Sequence, residues 1–160
     1  IAERIGIGGV IYNELAQDPK RNITLDWDRM LALDGNSAAY IQYMHARCCS
    51  ILRKASDEEV DVSRHDAALA ITHAAELEIV KRIAMLPEAI RKAGTDFAPS
   101  AIATWCYETA RSFAAFYRDC PILFAATPEV RNVRLRITAA AAESLRNGLH
   151  LLGIQTPERM

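Results

Sequence analysis

Tyr40, Tyr43 and Arg47 fall within ten residues of one another in the stretch AAYIQYMHAR. If that stretch is helical, each residue turns the chain by about 100°. With Tyr40 at 0°, Ile41, Met44, Cys48 and Ile51 fall between about 20° and 100° and form the buried stripe, while Arg47 lies near about −20°, Lys54 near about −40° and Tyr43 near about −60°. The two tyrosines and two cations therefore line one edge of the core. Such an edge has rings on which splayed bases can stack and cations that can meet phosphates, which is what a single-stranded RNA loop requires. The plainer reading is a pair of boundary tyrosines that pack with their hydroxyls in water.

A second stretch repeats the theme. Over residues 100–119, with Ile102 at 0°, Cys106, Thr109, Phe113, Phe116 and Cys120 lie within about 40° of the centre, and Tyr117 sits on the boundary at about 60°. Tyr107, Arg111 and Arg118 project near about 140° to 180°, on the outer face. Arg111, Arg118 and Lys54 are thus candidate phosphate contacts.

Other chemistry is sparse. His45 and Cys49 have the i, i+4 spacing of half a metal site, with Cys106, Cys120 and His150 as conceivable partners, but no Cys-x-x-Cys pair accompanies them. No metal is expected, and His45 reads as a surface histidine. Cys48 projects into the core stripe as a small hydrophobe. Gly6, Gly8 and Gly9 do not make a phosphate loop, because no strand precedes them and no Lys-Ser/Thr follows; close helix packing explains them better. Glu76 and Glu78 fall on different helix faces and suggest no acid/base pair.

The elements that must position these residues are helical. A first helix is expected over about 2–16 and ends at Asp18-Pro19; an extended connecting loop spans 17–33. A second helix covers about 36–54, with Asp34, Asn36 or Ser37 as cap, and the acidic stretch 56–63 is a loop. Further helices are expected at about 66–84, from Pro87-Glu88 to a left-handed cap at Gly94, over 100–119, and from Thr127-Pro128 to about 150. No alternating strand pattern appears, so the architecture is an all-α bundle.

Composition is compatible with this. At 160 residues, 51% hydrophobic and 24% charged, the chain is of single-domain size and can bury a core. No run of 18 apolar residues and no signal peptide occurs, so no membrane partner is expected; the start at Ile1 suggests a piece of a longer protein. Four cysteines, two of them adjacent, suit reduced thiols and a cytoplasmic setting. The net charge of −1 conceals a sorted pattern: +3 over 35–55 and +3 over 91–136, against −5 over 56–90. A local basic surface survives the neutral total.

The segments LDWDRMLALDGNSAAYIQYMHAR, FAAFYRDCPIL and LRNGLHLLGIQTPERM together resemble the C-terminal part of arginyl-tRNA synthetases, and in the family's order. The closing PERM is similar to the family's natural C-terminus, which would make Met160 the true end. The resemblance implies a helical anticodon-binding domain of the type named for its Asp-Ala-Leu-Arg signature, over 34–160, with 1–33 joining it to a catalytic domain. It implies ligation of arginine to tRNA(Arg) with ATP and Mg in the full-length enzyme, and no cofactor in this part. Tyr40, Tyr43 and Arg47 would face the anticodon loop, Tyr117 would stack on or beside a base, and Met160 would close the pocket. The expected partners are tRNA(Arg) and the catalytic domain of the same chain, and a monomer is expected.

Some positions depart from the family pattern. Ala39 stands where a proline is usual, Cys49 where a second arginine is usual, and Ala114 where asparagine is common. Neither a His-Ile-Gly-His nor a Lys-Met-Ser-Lys-Ser type motif occurs, so the chain alone is expected to be inactive. The competing expectation is a helical protein-interaction domain whose basic edge meets an acidic partner.

Overall fold

The computed structural model describes residues 1–17, 25–57 and 71–160, which form seven helices and no strand. They are α1 (Ala2–Leu15), α2 (Trp27–Leu31), α3 (Ala38–Asp57), α4 (Ala74–Ala84), α5 (Leu86–Asp96), α6 (Ser100–Asp119) and α7 (Pro128–Leu151). None of these helices is long and apolar enough to cross a membrane.

Caps account for most of the boundaries. The connection expected to be extended over 17–33 contains α2, because Asp26 accepts the Arg29 N–H at 3.1 Å and starts a short helical turn. Its residues 18–24 lie outside the described residues. Of the three candidate caps for α3, Ser37 accepts the Tyr40 N–H at 3.1 Å, and the helix continues to Asp57, past the expected 54. The helix expected from about 66 is seen as α4, starting at Ala74; residues 66–70 lie outside the described residues, as do 58–63. At its start His73 accepts the Ala75 N–H while Glu76 reaches back to the His73 N–H, a reciprocal capping box. The α5 helix runs through Gly94 and turns left-handed at Phe97, with φ 51° and ψ 39°. The stop moves because the N–H groups of Phe97 and Ala98 both bond the Ala93 carbonyl. Thr127 caps α7 by accepting from Val130, with Pro128 as its first residue.

The core lies between α3, α6 and α7. Ile41, Met44, Cys48 and Ile51 of α3 are buried, as are Ile102, Cys106, Thr109, Phe113 and Phe116 of α6, so both projected stripes are the buried ones. From α7 come Leu135, Ala141, Leu145 and Leu149. Gly148 allows the closest approach: a Cβ there would lie 2.6 Å from Cys106 Sγ and 2.8 Å from the Trp105 ring. Gly8 is similarly tight against Gln42 and Ile154, as close packing requires, whereas Gly6 has open space around it.

Two polar features organise the periphery. The segment after α7 is fastened along α3: Gln42 Nε2 donates to the Gln155 carbonyl at 2.7 Å, His45 Nδ1 pairs with the Pro157 carbonyl at 3.2 Å, and Arg53 donates to the Glu158 carbonyl at 3.2 Å. His45 is therefore buried, 3% exposed, and not the surface histidine that helix spacing suggested. The tail supplies both its cover and its partner. On the other side, Glu76 is 1% exposed and pairs with Arg134 of α7 at 2.6 Å. Burial pushes the Glu76 carboxyl up, but Arg134 and the backbone N–H groups of Thr72 and His73 outweigh it and hold it below its ordinary range.

Candidate nucleic-acid interface

A cleft of about 980 Å³ opens where the middle of α3, the end of α6, the loop after α6 and the chain's last residues meet. Tyr43, Arg47, Arg53 and Lys54 enter it from α3, Tyr117 and Arg118 from α6, Leu123 and Phe124 from the loop, and Arg159 and Met160 from the tail. Five of its lining side chains are cationic and none is acidic. The cleft is open to solvent and its rims are positive, so it favours a polyanion over a small apolar ligand.

Its centre is a built stack. Arg47 donates to the Tyr43 hydroxyl at 2.7 Å and lays its guanidinium over the Tyr117 ring, 4.3 Å from the centroid. Tyr117 packs in turn against buried Phe113, with ring centroids 6.4 Å apart and planes inclined by 28°. Tyr117 is thus held between a core ring and a cation. Both the Arg47 guanidinium and the 38% exposed Tyr117 ring line the cleft, and bases stack on guanidinium planes as they do on rings.

Of the residues singled out in the sequence, Tyr43, Arg47, Lys54, Tyr117, Arg118 and Met160 meet at this cleft. Tyr40 and Arg111 do not line it. Tyr40 makes an edge contact with Tyr107, centroids 6.0 Å apart, while Arg111 lies over Tyr107 at 5.7 Å and pairs with Glu108 at 3.2 Å. These four residues form a separate aromatic and charged patch on α3 and α6. Arg118 pairs with Asp119 at 2.8 Å on the surface, a pair weak enough to yield to a phosphate.

The sequence reading missed Arg53, Arg159 and Phe124. Phe124 is 86% exposed, and the one signal for it is an aromatic residue placed in the loop between Pro121 and the Thr127 cap. Among the described residues no group of three His, Cys, Asp or Glu side chains could hold a metal ion. Cys106 and Cys120 are buried in the core, and Cys49 Sγ rests 3.7 Å from His45 Nε2 as a packing neighbour.

The family described as DALR anticodon binding domain matches residues 41–160. The chain belongs to that family. Every cleft residue named above, from Tyr43 to Met160, lies inside the matched span of this DALR domain. Similarity extends over the whole chain to the arginine–tRNA ligase of Chloroflexus aggregans, at 60% identity over 160 residues, and of Pyrococcus abyssi, at 39%. The chain spans 28% of the length of the first of these and 25% of the second. In structure it is similar to the Thermus thermophilus arginyl-tRNA synthetase, with a TM-score of 0.89 and 28% identity, covering 99% of this chain and 27% of that one.

Proposed function

We propose that this chain is the tRNA-binding, C-terminal part of an arginine–tRNA ligase and that its cleft receives the anticodon loop of tRNA(Arg). The observation that carries this is the Tyr43–Arg47–Tyr117 stack, set among Lys54, Arg118 and Arg159 inside the DALR-matched span. Tyr43, Arg47 and Tyr117 meet bases, Met160 closes the pocket, and Lys54 and Arg118 meet phosphates. Tyr40 and Arg111, on the neighbouring patch, serve the flank of the loop.

Residues 34–160 form the binding domain, and 1–33 join it to a catalytic domain. The exposed apolar side chains of Ile7 and Val10 on α1, Trp27 and Leu31 on α2, and Leu25 and Leu33 beside α2 support that division, because another part of the protein can cover them. ATP and Mg belong to the catalytic domain, which joins arginine to tRNA(Arg). The protein acts as a cytoplasmic monomer, a setting compatible with its four free cysteines.

A gel shift decides the matter. The chain should retard tRNA(Arg) at lower concentration than a tRNA with a different anticodon. Equal retardation of both, or none, overturns the proposal.

A further inference from the structure

We infer that Phe124 is a base-stacking residue of the cleft and that the buried Glu76–Arg134 pair is the device that positions it; the inference rests on the RNA-binding reading above. An 86% exposed phenylalanine contributes little to the stability of the chain that carries it, because its ring stays in water. A single exposed apolar residue would need no explanation. This one lines a cleft whose other two rings are already engaged: Tyr43 accepts from Arg47, which lies 5.9 Å from its centroid, and Tyr117 has Phe113 beside it and Arg47 over it. Phe124 is the most exposed of the three rings, at 86% against 38% for Tyr117, with Tyr43 half-buried, and any base has a face to lay on it.

The loop that carries it is fastened at both ends. At its start Cys120 and Ile122 are buried, and the Cys120 N–H bonds the Phe116 carbonyl at 2.9 Å. Thr127 closes it as the cap of α7. Between them Arg134 uses its two arms separately: Nε donates to Glu76 Oε1 at 2.6 Å, and Nη1 donates to the Pro121 carbonyl at 2.8 Å. Glu76 is held by the Thr72 and His73 N–H groups at 2.7 and 3.1 Å. A chain of charge-assisted bonds therefore runs from the start of α4 through α7 to the first residue of the loop. Its planar fork fixes the direction in which Pro121 leaves α6 and with it the place of Phe124. A lysine at 134 keeps the charge beside Glu76 but has no second arm for Pro121.

The test uses the full chain and an RNA hairpin with the anticodon arm of tRNA(Arg), carrying 2-aminopurine in its loop. Stacking quenches the fluorophore, and titration gives the affinity. Phe124→Ala should weaken binding about 5- to 150-fold, the range for one lost stack, and reduce the quench, while Phe124→Trp restores both. Arg134→Lys should weaken binding in the parent but change nothing further in the Phe124→Ala background. Glu76→Gln enters the same cycle in case Arg134→Lys does not fold. Unchanged affinity in a folded Phe124→Ala chain overturns the stacking role. Additive losses for Arg134→Lys and Phe124→Ala overturn the positioning role, since a purely structural pair acts whether or not the ring is present. If the unmodified chain does not bind the hairpin, the RNA-binding reading itself fails, and that is distinct from either result.

Discussion

Arg47 is the residue on which the cleft turns. Its guanidinium sits over Tyr117 and bonds Tyr43, so three side chains from two helices act as one unit. A base in the cleft can meet both the Arg47 plane and the Tyr117 ring, and a phosphate meets the Arg47 charge. Arg47→Lys keeps that charge and removes the plane, so it should lose affinity for the loop while leaving most of the salt dependence in place. Arg47→Ala removes both and should flatten the log–log slope of binding against salt by roughly one unit or less. Lys54→Ala and Arg118→Ala should flatten it comparably; Arg111→Ala, outside the cleft, should do so least. A slope unchanged in all the cleft variants would put the RNA on another face. Tyr117→Ala should cost about 1 to 3 kcal/mol in binding, through the lost base stack on the ring, and it also removes the ring beneath Arg47. Tyr117→Phe keeps the ring and should bind almost normally. Melting temperatures on the same proteins separate this from simple packing, which would lower stability and spare the affinity of the folded fraction.

At the scale of elements, the tail clamped on α3 has a pH dependence. Burial pushes the His45 imidazolium below its ordinary value, with Arg146 acting in the same direction; the Pro157 carbonyl, Glu158 and Glu143 oppose them. The neutral ring is the folded form, so this stability is complete above about pH 6.5 and declines as pH falls toward the depressed folded-state value. Thermal melts at pH 7.5 and 5.5 should show a larger drop for the parent than for His45→Gln, and an equal drop would remove His45 as the cause. A second element-scale prediction concerns Phe97, an aromatic residue held at positive φ with 90% of its surface exposed. Phe97→Gly should stabilise the chain by about 1 kcal/mol, read as a rise in melting temperature, since only the backbone penalty changes. The sequence made the helices and their buried stripes legible because periodicity and caps are local: α6 and the start of α7 came out at their observed residues, and Cys48 and Phe113 fell where the core is. It did not reveal His45, Glu76 or Phe124, and the reason is common to all three. Each is defined by a partner far along the chain, at Pro157, at Arg134, or across a cleft built from four segments. For the same reason it placed Tyr43, Arg47 and Tyr117 on boundary faces correctly but gave no sign that Arg47 covers the Tyr117 ring.

For the whole molecule, the arrangement of charge and apolar surface separates two tasks. The net charge is only −1, yet the cleft gathers five cations, while Ile7 on α1 and Trp27 and Leu31 on α2 are exposed apolar side chains. A cationic cleft with rings can hold an RNA loop, but holding is uniform binding and by itself lowers no barrier. Adenylate formation needs groups that bind ATP and stabilise the charge developing on its phosphates. The sequence contains neither a His-Ile-Gly-His nor a Lys-Met-Ser-Lys-Ser type motif. The expected outcome is binding without chemistry: the chain shifts tRNA(Arg) in a gel and shows no arginine-dependent ATP–pyrophosphate exchange, with or without that tRNA. Ile7→Lys should leave both results unchanged, because Ile7 is 53% exposed and lines neither the cleft nor the core. Turnover by the pure chain would mean that an ATP site exists among these 160 residues, and the division of labour between this part and a catalytic domain would have to be abandoned.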